Sequence, residues 1–564
     1  MAMSAPEWLT VALIRINVDA VQHAAGSMTA PTWDDIGARL PEMERELQAV
    51  RDSGRGPTDV ASNLRLFDSP EGTEPRVTLW RDQSAWCPYC QKVILQLEEK
   101  RVPYAVRRAP MRCYAGGELQ KPAEFLALSK AGTLPVATID GVLYPDSSSI
   151  LKAVETEFPA QSLLPSTEAG RRAYKEVTIL DATFANAWLV WLTTPPWVPG
   201  EAAREKAFTD SLDAIESHLE ATSSGSGSTW SSGNESSGSS STEANTGPYM
   251  LGATFSLADV KISSFMERAA AAVPFYRGLT IRTGGRWPRI ERWFDAMESR
   301  PAYAALRGDF YTHCLDLPPQ LSPFGLARSR DAAAVRYAAE IDGSDGKSWA
   351  LPLPRGTRLE PLPVPRLQAA AGLEAEAKTL GMAFEARRDA EARRAAAGAL
   401  WRNSEQISLF ACRGRGLRAA VRLPLATAIP MIAAVAAAAN AAAQGAPGQV
   451  FSWAALALVI YDILGTRAPL ADPRAIPATA LAPLVDMSLR LTAATLLDGE
   501  GGKMMVDAQR QLRALDAEAA EPLADALLYL RDRIGVPRDM DYAAARQCRA
   551  HLTWAIGQLA TVRK

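Results

Sequence analysis

The sequence predicts an α/β unit, then an all-α unit, then a further region that is mostly α-helical. Three observations carry this reading. From Val77 to about Phe158, short β-type runs alternate with helical stretches. From about Glu168 to residue 315 the pattern is helical. From about Leu321 to Lys564 the composition shifts to high Ala and Arg, broken by Pro-rich stretches at Leu351–Pro365 and Pro469–Pro483. A chain of 564 residues is too long for one core, since domains hold roughly 100–200 residues each. The expected division is 1–75, helical and loop-like; 76–160, α/β; 165–315, all-α; and 320–564, a helical extension.

The bulk numbers exclude several classes. The chain is 48% hydrophobic and 22% charged, with a formal net charge of −2. Such a balance leaves no electrostatic footprint for nucleic acid. Six cysteines in this length are too scattered for a disulfide framework and point to a reducing compartment. His23, His218, His313 and His551 lie far apart, with no metal-ligand spacing. Glu7, Arg15 and Asp19 interrupt the first thirty residues, so a secretory signal is not expected and the cytoplasm is the default.

Residues 34–51 read as one short amphipathic helix and 52–75 as loop, with Gly54, Gly56, Pro57, Pro70, Gly72 and Pro75. Val77–Trp80 is a strand, Pro88–Lys100 a helix, and Tyr104–Arg107 the next strand in parallel order. Val136–Ile139 and Val142–Tyr144 flank Asp140-Gly141, a hairpin signature. A helix starts near Asp146 and ends before Pro159. Residues 222–247 hold eleven Ser and five Gly, and read as a disordered insert between helices. Leu423–Ala443 and Val450–Leu464 are apolar enough to raise a membrane span, with four arginines before the first. Its Ala content, and Pro424, Pro430 and Asn440, favour an Ala-rich helix instead. Leu512–Ile534 reads as a helix with a polar face.

The chemistry sits in Trp86-Cys87-Pro88-Tyr89-Cys90. A strand precedes it and a helix follows it, so Cys87 falls just before the first helical turn. There the unpaired N–H groups and the positive end of the helix dipole stabilise a thiolate, which is the nucleophilic form. Pro88 suits the first helical position, where its missing N–H costs nothing. Cys90, one turn on, can attack a mixed disulfide on Cys87. Half of a zinc site is the competing reading. It needs a second cysteine pair, and Cys113, Cys314, Cys412 and Cys548 stand apart, so no metal is expected. Two further signals lie downstream. Thr133-Leu134-Pro135-Val136 puts a proline at the start of a strand, and a cis Leu134-Pro135 bond would aim the Leu134 backbone outward, free to pair with an extended peptide ligand. Asp146-Ser147-Ser148-Ser149 is an ordinary helix cap that, near Cys87, could also hold a carboxylate.

In this order and spacing, the three signals resemble the thioredoxin-like N-terminal domain of glutathione transferases, in particular the omega-like and glutaredoxin-like branches with an active cysteine. The resemblance implies that Asp146 and Ser147 bind the γ-glutamyl end of glutathione, though the family more often has Glu at the first position. It implies that Leu134, before Pro135, pairs with the cysteinyl backbone, and that Lys121 of Lys121-Pro122-Ala123-Glu124-Phe125 meets the glycyl carboxylate. Phe255-Ser256-Leu257-Ala258-Asp259-Val260 is similar to the capping box of the family's all-α C-terminal domain. Trp287-Pro288 through Arg300-Pro301 looks like its late helices. Asp309–His313 and Asp316–Gln320, with Leu530–Arg533 and Pro537–Met540, look like the junction and end of a long helical extension in plant and algal relatives.

The implied fold is therefore a thioredoxin-like α/β domain plus an all-α glutathione-transferase domain, followed by a mostly α-helical extension. The implied activity is glutathione-dependent, with glutathione as cosubstrate and a small electrophile, disulfide or other oxidised compound as the second substrate. Cys90 makes the site a dithiol, which favours thiol–disulfide exchange, deglutathionylation or dehydroascorbate-type reduction over stable conjugation. A glutathione-bridged iron–sulfur cluster is disfavoured by the stiff Pro88 loop. Trp188, Trp191 and Trp197 are candidates for the acceptor side, although tryptophans are more often core. The family allows a homodimer, and its plant-like members leave the chloroplast as the alternative compartment. The alternative function is a binding or scaffold protein that retains the fold with little turnover, motivated by the extension.

Overall fold

The structure, a computed structural model, describes residues 16–111, 121–223, 247–321, 326–354, 384–416 and 477–560. Cys113, residues 224–246 of the Ser/Gly segment, the apolar run from Leu423 to Leu464 and most of both Pro-rich stretches lie outside the described residues.

Five strands form one sheet: β1 (Leu64–Arg65), β2 (Val77–Asp82), β3 (Tyr104–Ala109), β4 (Val136–Ile139) and β5 (Val142–Tyr144), in the order β1-β3-β2-β4-β5. β2 and β3 are parallel, from Val77 opposite Tyr104 to Asp82 opposite Ala109. The Pro88–Glu99 helix makes the crossover between them. β4 runs antiparallel to β2, and β5 to β4. Asp140 and Gly141 both take positive φ, 50° and 81°. That conformation matches the twist of a tight hairpin, as the dipeptide predicts.

β1 falls where loop is expected. Two residues carry no alternation to read. Its place is set by tertiary contacts: the buried Arg65 guanidinium binds Glu98 Oε1 at 2.8 Å and Oε2 at 3.0 Å, and Tyr104 donates to Glu98 at 2.7 Å.

The helical unit follows in Glu168–Thr193, Glu201–Ser223, Leu257–Arg277, Pro288–Glu298, Pro301–Leu306 and Phe310–Asp316. Leu257–Arg277 runs through its centre, and of its residues only Lys261 is not buried. It begins at the Ser256–Asp259 capping box. It packs against the Pro88–Glu99, Glu168–Thr193 and Phe310–Asp316 helices and against Ala332–Asp342. One continuous core therefore runs from Val77 of the sheet through this helix to Trp349.

A second core joins the two ends of the chain. Val21, Ile36 and Leu40 pack with Leu400, Leu489, Leu523 and Leu552. The helices involved include Val18–Ser27 and Trp33–Ala38 from one end, and Phe384–Arg402, Ala482–Asp498, Lys503–Arg513, Ala517–Arg531 and Tyr542–Ala560 from the other. Trp33 Nε1 donates to Asp486 at 2.8 Å across this interface.

Two helix expectations are corrected here. Residues 34–51 are not one helix but parts of three, Trp33–Ala38, Glu42–Arg45 and Leu47–Ser53, with Pro41 breaking the first from the second. Leu512–Ile534 likewise divides, because the Asp516 carboxylate accepts from Ala519 N and starts a new helix at Ala517. Among the described residues, Thr479–Asp498 is long and apolar enough to cross a membrane by length and composition alone. It is a core helix here, with Leu484, Val485, Leu489, Leu491 and Leu496 all buried in the second core.

Candidate active site

Cys87 is the N-cap of the Pro88–Glu99 helix and Pro88 occupies its first turn, which puts Cys87 at the positive end of the helix dipole. The approach is fixed tightly. Trp86 N donates to Asp82 Oδ2 at 2.7 Å, at the end of β2. Ala85 takes a left-handed φ of 53°, a conformation that a residue with a Cβ adopts only when its surroundings impose it. Cys87 Sγ lies 4.0 Å from Leu134 O. The Leu134-Pro135 bond is cis.

Cys90 lies one turn deeper and is only 1% exposed, against 9% for Cys87. Both sulfurs and an Asp82 carboxylate oxygen lie within 4.8 Å of one another. Burial, and then hydrogen bonding to Cys87, push the Cys90 thiol well above its usual range. Cys90 is thus protonated at neutral pH, and it must lose that proton to attack. Asp82 Oδ1 is buried with no hydrogen-bond partner among the described residues, so the Asp82 carboxylate offers an acceptor close to both sulfurs. Two cysteines and one carboxylate make three donors of mixed softness, one fewer than a closed structural zinc site uses.

Behind the thiol loop lies a charged brace. Arg268, 1% exposed, donates to the Trp86 carbonyl, to Gln91 Oε1 at 2.7 Å and to Ser264 O at 2.8 Å. Its guanidinium also sits 5.0 Å from the Trp86 ring centre. Gln91 Nε2 donates to Glu267 Oε2 at 2.8 Å. Glu267 Oε1 accepts from Gly308 N at 2.9 Å and lies 2.8 Å from His313 Nε2. Burial opposes ionisation of Glu267, but the His313 hydrogen bond and charge, with Arg268 and Gly308 N, hold its carboxyl down at about 2. Burial and the Arg268 charge hold His313 below its ordinary value.

These directions fix a pH dependence. A carboxyl held at about 2 in the fold and near 4.5 when unfolded stabilises fully above pH 4.5 and loses that contribution as pH falls toward 2. His313, depressed below 6.5, adds a loss of the same sign below pH 6.5. Glu267→Gln is expected to flatten the acid limb of stability by on the order of 3 kcal/mol. Unfolding midpoints measured from pH 7 to pH 3 check this, and equal slopes in the two proteins contradict it.

The structure brings the Leu134 carbonyl to Cys87 Sγ, beside the cis bond to Pro135. Asp146 caps the Ser147–Glu157 helix, its Oδ1 accepting from Ser148 N at 2.9 Å and Ser149 N at 3.0 Å. This is the ordinary cap, on an exposed aspartate, and the helix it begins packs against Pro88–Glu99. Ser147 is half-buried beside it. Lys121 turns inward: Nζ donates to Pro110 O and stands 5.3 Å from the Phe125 ring. Trp188 and Trp191 are buried, while Trp197 is 75% exposed. Trp188 stacks obliquely on Phe265, 6.1 Å between ring centres, and Tyr89 meets the same ring edge-on at 5.6 Å. Lys92 Nζ lies 4.3 Å from that ring and 3.4 Å from Asp181 Oδ2.

Asp82, Gln91, Glu267, Arg268 and His313 were not assigned to the site from the sequence. One signal was there. Glu267-Arg268 is a pair of charges between Phe265-Met266 and Ala269–Ala272, inside a helix whose neighbours are apolar. Such a pair has no solvated face to occupy and must find partners inside.

Two segments of the chain are similar to known proteins. Residues 86–157 match the glutathione S-transferase N-terminal domain, and residues 199–296 match the glutathione S-transferase C-terminal domain. The chain is 25% identical to glutathione S-transferase DHAR2 of Arabidopsis thaliana over 195 residues, 35% of this chain and 72% of that relative. It is 27% identical to the probable cytosolic glutathione S-transferase DHAR1 of Oryza sativa subsp. japonica over 218 residues, 38% of this chain and 82% of that relative. Among solved structures, the dehydroascorbate reductase of Chlamydomonas reinhardtii aligns at 20% identity and a TM-score of 0.31, covering 41% of this chain and 91% of that one. The two segments similar to the glutathione S-transferase domains, 86–157 and 199–296, are flanked by further helices on both sides.

Proposed function

We propose that this protein is a glutathione-dependent thiol transferase of the cysteine type, reducing a disulfide, a glutathionylated thiol or dehydroascorbate. The observation that carries it is Cys87 at the N-cap of the Pro88–Glu99 helix, with Cys90 buried one turn below. The names of the relatives, several of them DHAR-type glutathione S-transferases, support the same reading.

In this reading Leu134, Pro135, Asp146, Ser147 and Lys121 line the glutathione side. Cys87 thiolate attacks the glutathionyl sulfur of a mixed disulfide. The old S–S bond breaks, the substrate thiolate leaves and takes a proton, and glutathione stays bonded to Cys87. A glutathione thiolate then attacks that sulfur and leaves as glutathione disulfide, restoring Cys87. Alternatively Cys90 gives its proton to Asp82, attacks Cys87 and releases glutathione, and two further glutathiones reduce the Cys87–Cys90 disulfide. With dehydroascorbate, two glutathiones supply the two electrons and two protons and end as glutathione disulfide.

The test is glutathione-dependent reduction of a glutathionylated peptide and of dehydroascorbate, measured side by side. Saturable dependence on glutathione with at least one of them is expected. Rates no greater than the uncatalysed reaction with both contradict the proposal.

A further inference from the structure

The C-terminal helical segment is bonded to the back of the thiol site through a short series of direct contacts. Arg549, on the Tyr542–Ala560 helix, is 1% exposed. Its Nη1 lies 2.5 Å from Asp309 Oδ2, its Nη2 donates to Ile534 O at 2.7 Å, and the guanidinium stands 4.6 Å from the Tyr311 ring and 5.1 Å from the Trp349 ring. Burial would keep the Asp309 carboxyl neutral, but the Arg549 charge beside it holds it ionised, below its ordinary value.

Asp309 is also the N-cap of the Phe310–Asp316 helix, its Oδ1 accepting from Thr312 N at 2.9 Å. Two more bonds fasten the same turn to the extension. Val536 N donates to Thr312 Oγ1 at 3.0 Å, and Tyr311 OH donates to Asp532 O at 2.9 Å.

That turn is also what holds the brace. Gly308 N and His313 Nε2 are both on Glu267 Oε1, and Glu267 with Gln91 and Arg268 fixes the Trp86-Cys87 backbone. Gly308 lies in the middle. A Cβ there would come within 2.6 Å of the His313 ring and 3.2 Å of Val536 O, so the ring, the turn and the extension meet with no room between them.

We propose that Arg549 is a positioning residue for the Cys87 thiol: by clamping Asp309, the C-terminal helical segment fixes the 308–313 turn, and through Glu267 and Arg268 it sets the orientation of the reactive cysteine. This builds on the function proposed above, but it makes a separate claim, that the segment is part of the thiol site's support rather than an appended unit. Ordinary packing of two domains does not require this. A docking contact could lie anywhere on the helical unit. The bonds from Arg549, Val536 and Asp532 fall on the turn whose backbone and histidine hold Glu267, the carboxylate bonded to both His313 and Gln91.

The test uses the full chain and reads Cys87 directly, as the pH profile of its alkylation by iodoacetamide in a Cys90→Ser background, alongside glutathione turnover. Arg549→Met is expected to slow Cys87 alkylation at pH 7 and to lower kcat by about 10- to 100-fold, with KM for glutathione within about twofold. Arg549→Lys, which keeps the charge but not the fork, should recover part of both. Asp516→Ala removes a helix cap in the same C-terminal segment, far from the brace, and should leave the alkylation profile unchanged while costing about 1 kcal/mol of stability. If Arg549→Met fails to fold, Gly308→Ala and Thr312→Val address the same junction from the other side and are expected to change the profile in the same direction. Alkylation profiles superimposable on wild type in the folded variants of this junction would overturn the proposal. Alkylation needs no glutathione, so a wild-type protein without glutathione turnover would refute the proposed function while leaving this inference testable on its own readout.

Discussion

Cys87→Ser is expected to lower glutathione-dependent reduction by about 10³-fold or more, because a serine hydroxyl stays protonated at neutral pH and cannot take the place of a thiolate nucleophile. The helix N-terminus and the Arg268 brace remain in that variant, so binding of glutathione should persist while turnover is lost. Cys90→Ser is expected to behave differently. Cys90 is buried beneath Cys87, and its thiol is pushed well above the usual range by that burial. It contributes only when it is deprotonated to resolve a disulfide on Cys87. Cys90→Ser should therefore keep the route in which a second glutathione resolves the adduct, within about tenfold of wild type. Steady-state rates with a glutathionylated peptide measure both variants. Equal loss in the two would mean that the thiols act as one obligatory pair.

The largest effect on stability is expected at Asp259. Its carboxylate is fully buried and takes four donors: Met250 N at 2.9 Å, Trp293 Nε1 at 2.9 Å, Ser256 N at 2.9 Å and Ser256 Oγ at 3.0 Å. It thereby ties the start of the central Leu257–Arg277 helix to the Pro288–Glu298 helix and to the turn at Met250. Asp259→Ala would strand these donors in the core. A cost of about 3–5 kcal/mol is expected, since each buried donor left without a partner costs about 1–3 kcal/mol. Asp259→Asn keeps the volume but turns an amide donor toward at least one of the same donors, so it should recover little. Denaturant unfolding of the two variants checks this, and a loss under about 1 kcal/mol in Asp259→Ala would contradict it.

Much of the site and its frame was legible in the residues, and the reasons are local. Cys87-Pro88 between a strand and a helix fixes a helix start, because each residue favours that position by its own chemistry. Asp140-Gly141 tolerates positive φ twice, and Ser256 with Asp259 closes a capping box within one turn. What stayed hidden depends on partners distant in sequence. Arg549 and Asp309 are 240 residues apart, and neither has a local pattern that announces the other. The shared core of Val21 and Ile36 with Leu489 and Leu523 joins the two ends of the chain, and hydrophobic period alone says that a face is buried, not against what. The Asp146 cap shows the limit from the other direction. One local geometry serves as helix cap and as carboxylate site, and its hydrogen bonds to Ser148 and Ser149 fulfil the first role.

The most direct measurement is the site of the glutathione adduct. The Cys90→Ser protein, treated with glutathione disulfide and digested without reduction, should yield one modified peptide by mass spectrometry, carrying glutathione on Cys87. Modification only on Cys314, Cys412 or Cys548, all buried in the fold, or an unmodified Cys87 under conditions that modify a small-molecule thiol, would contradict Cys87 as the reactive thiol.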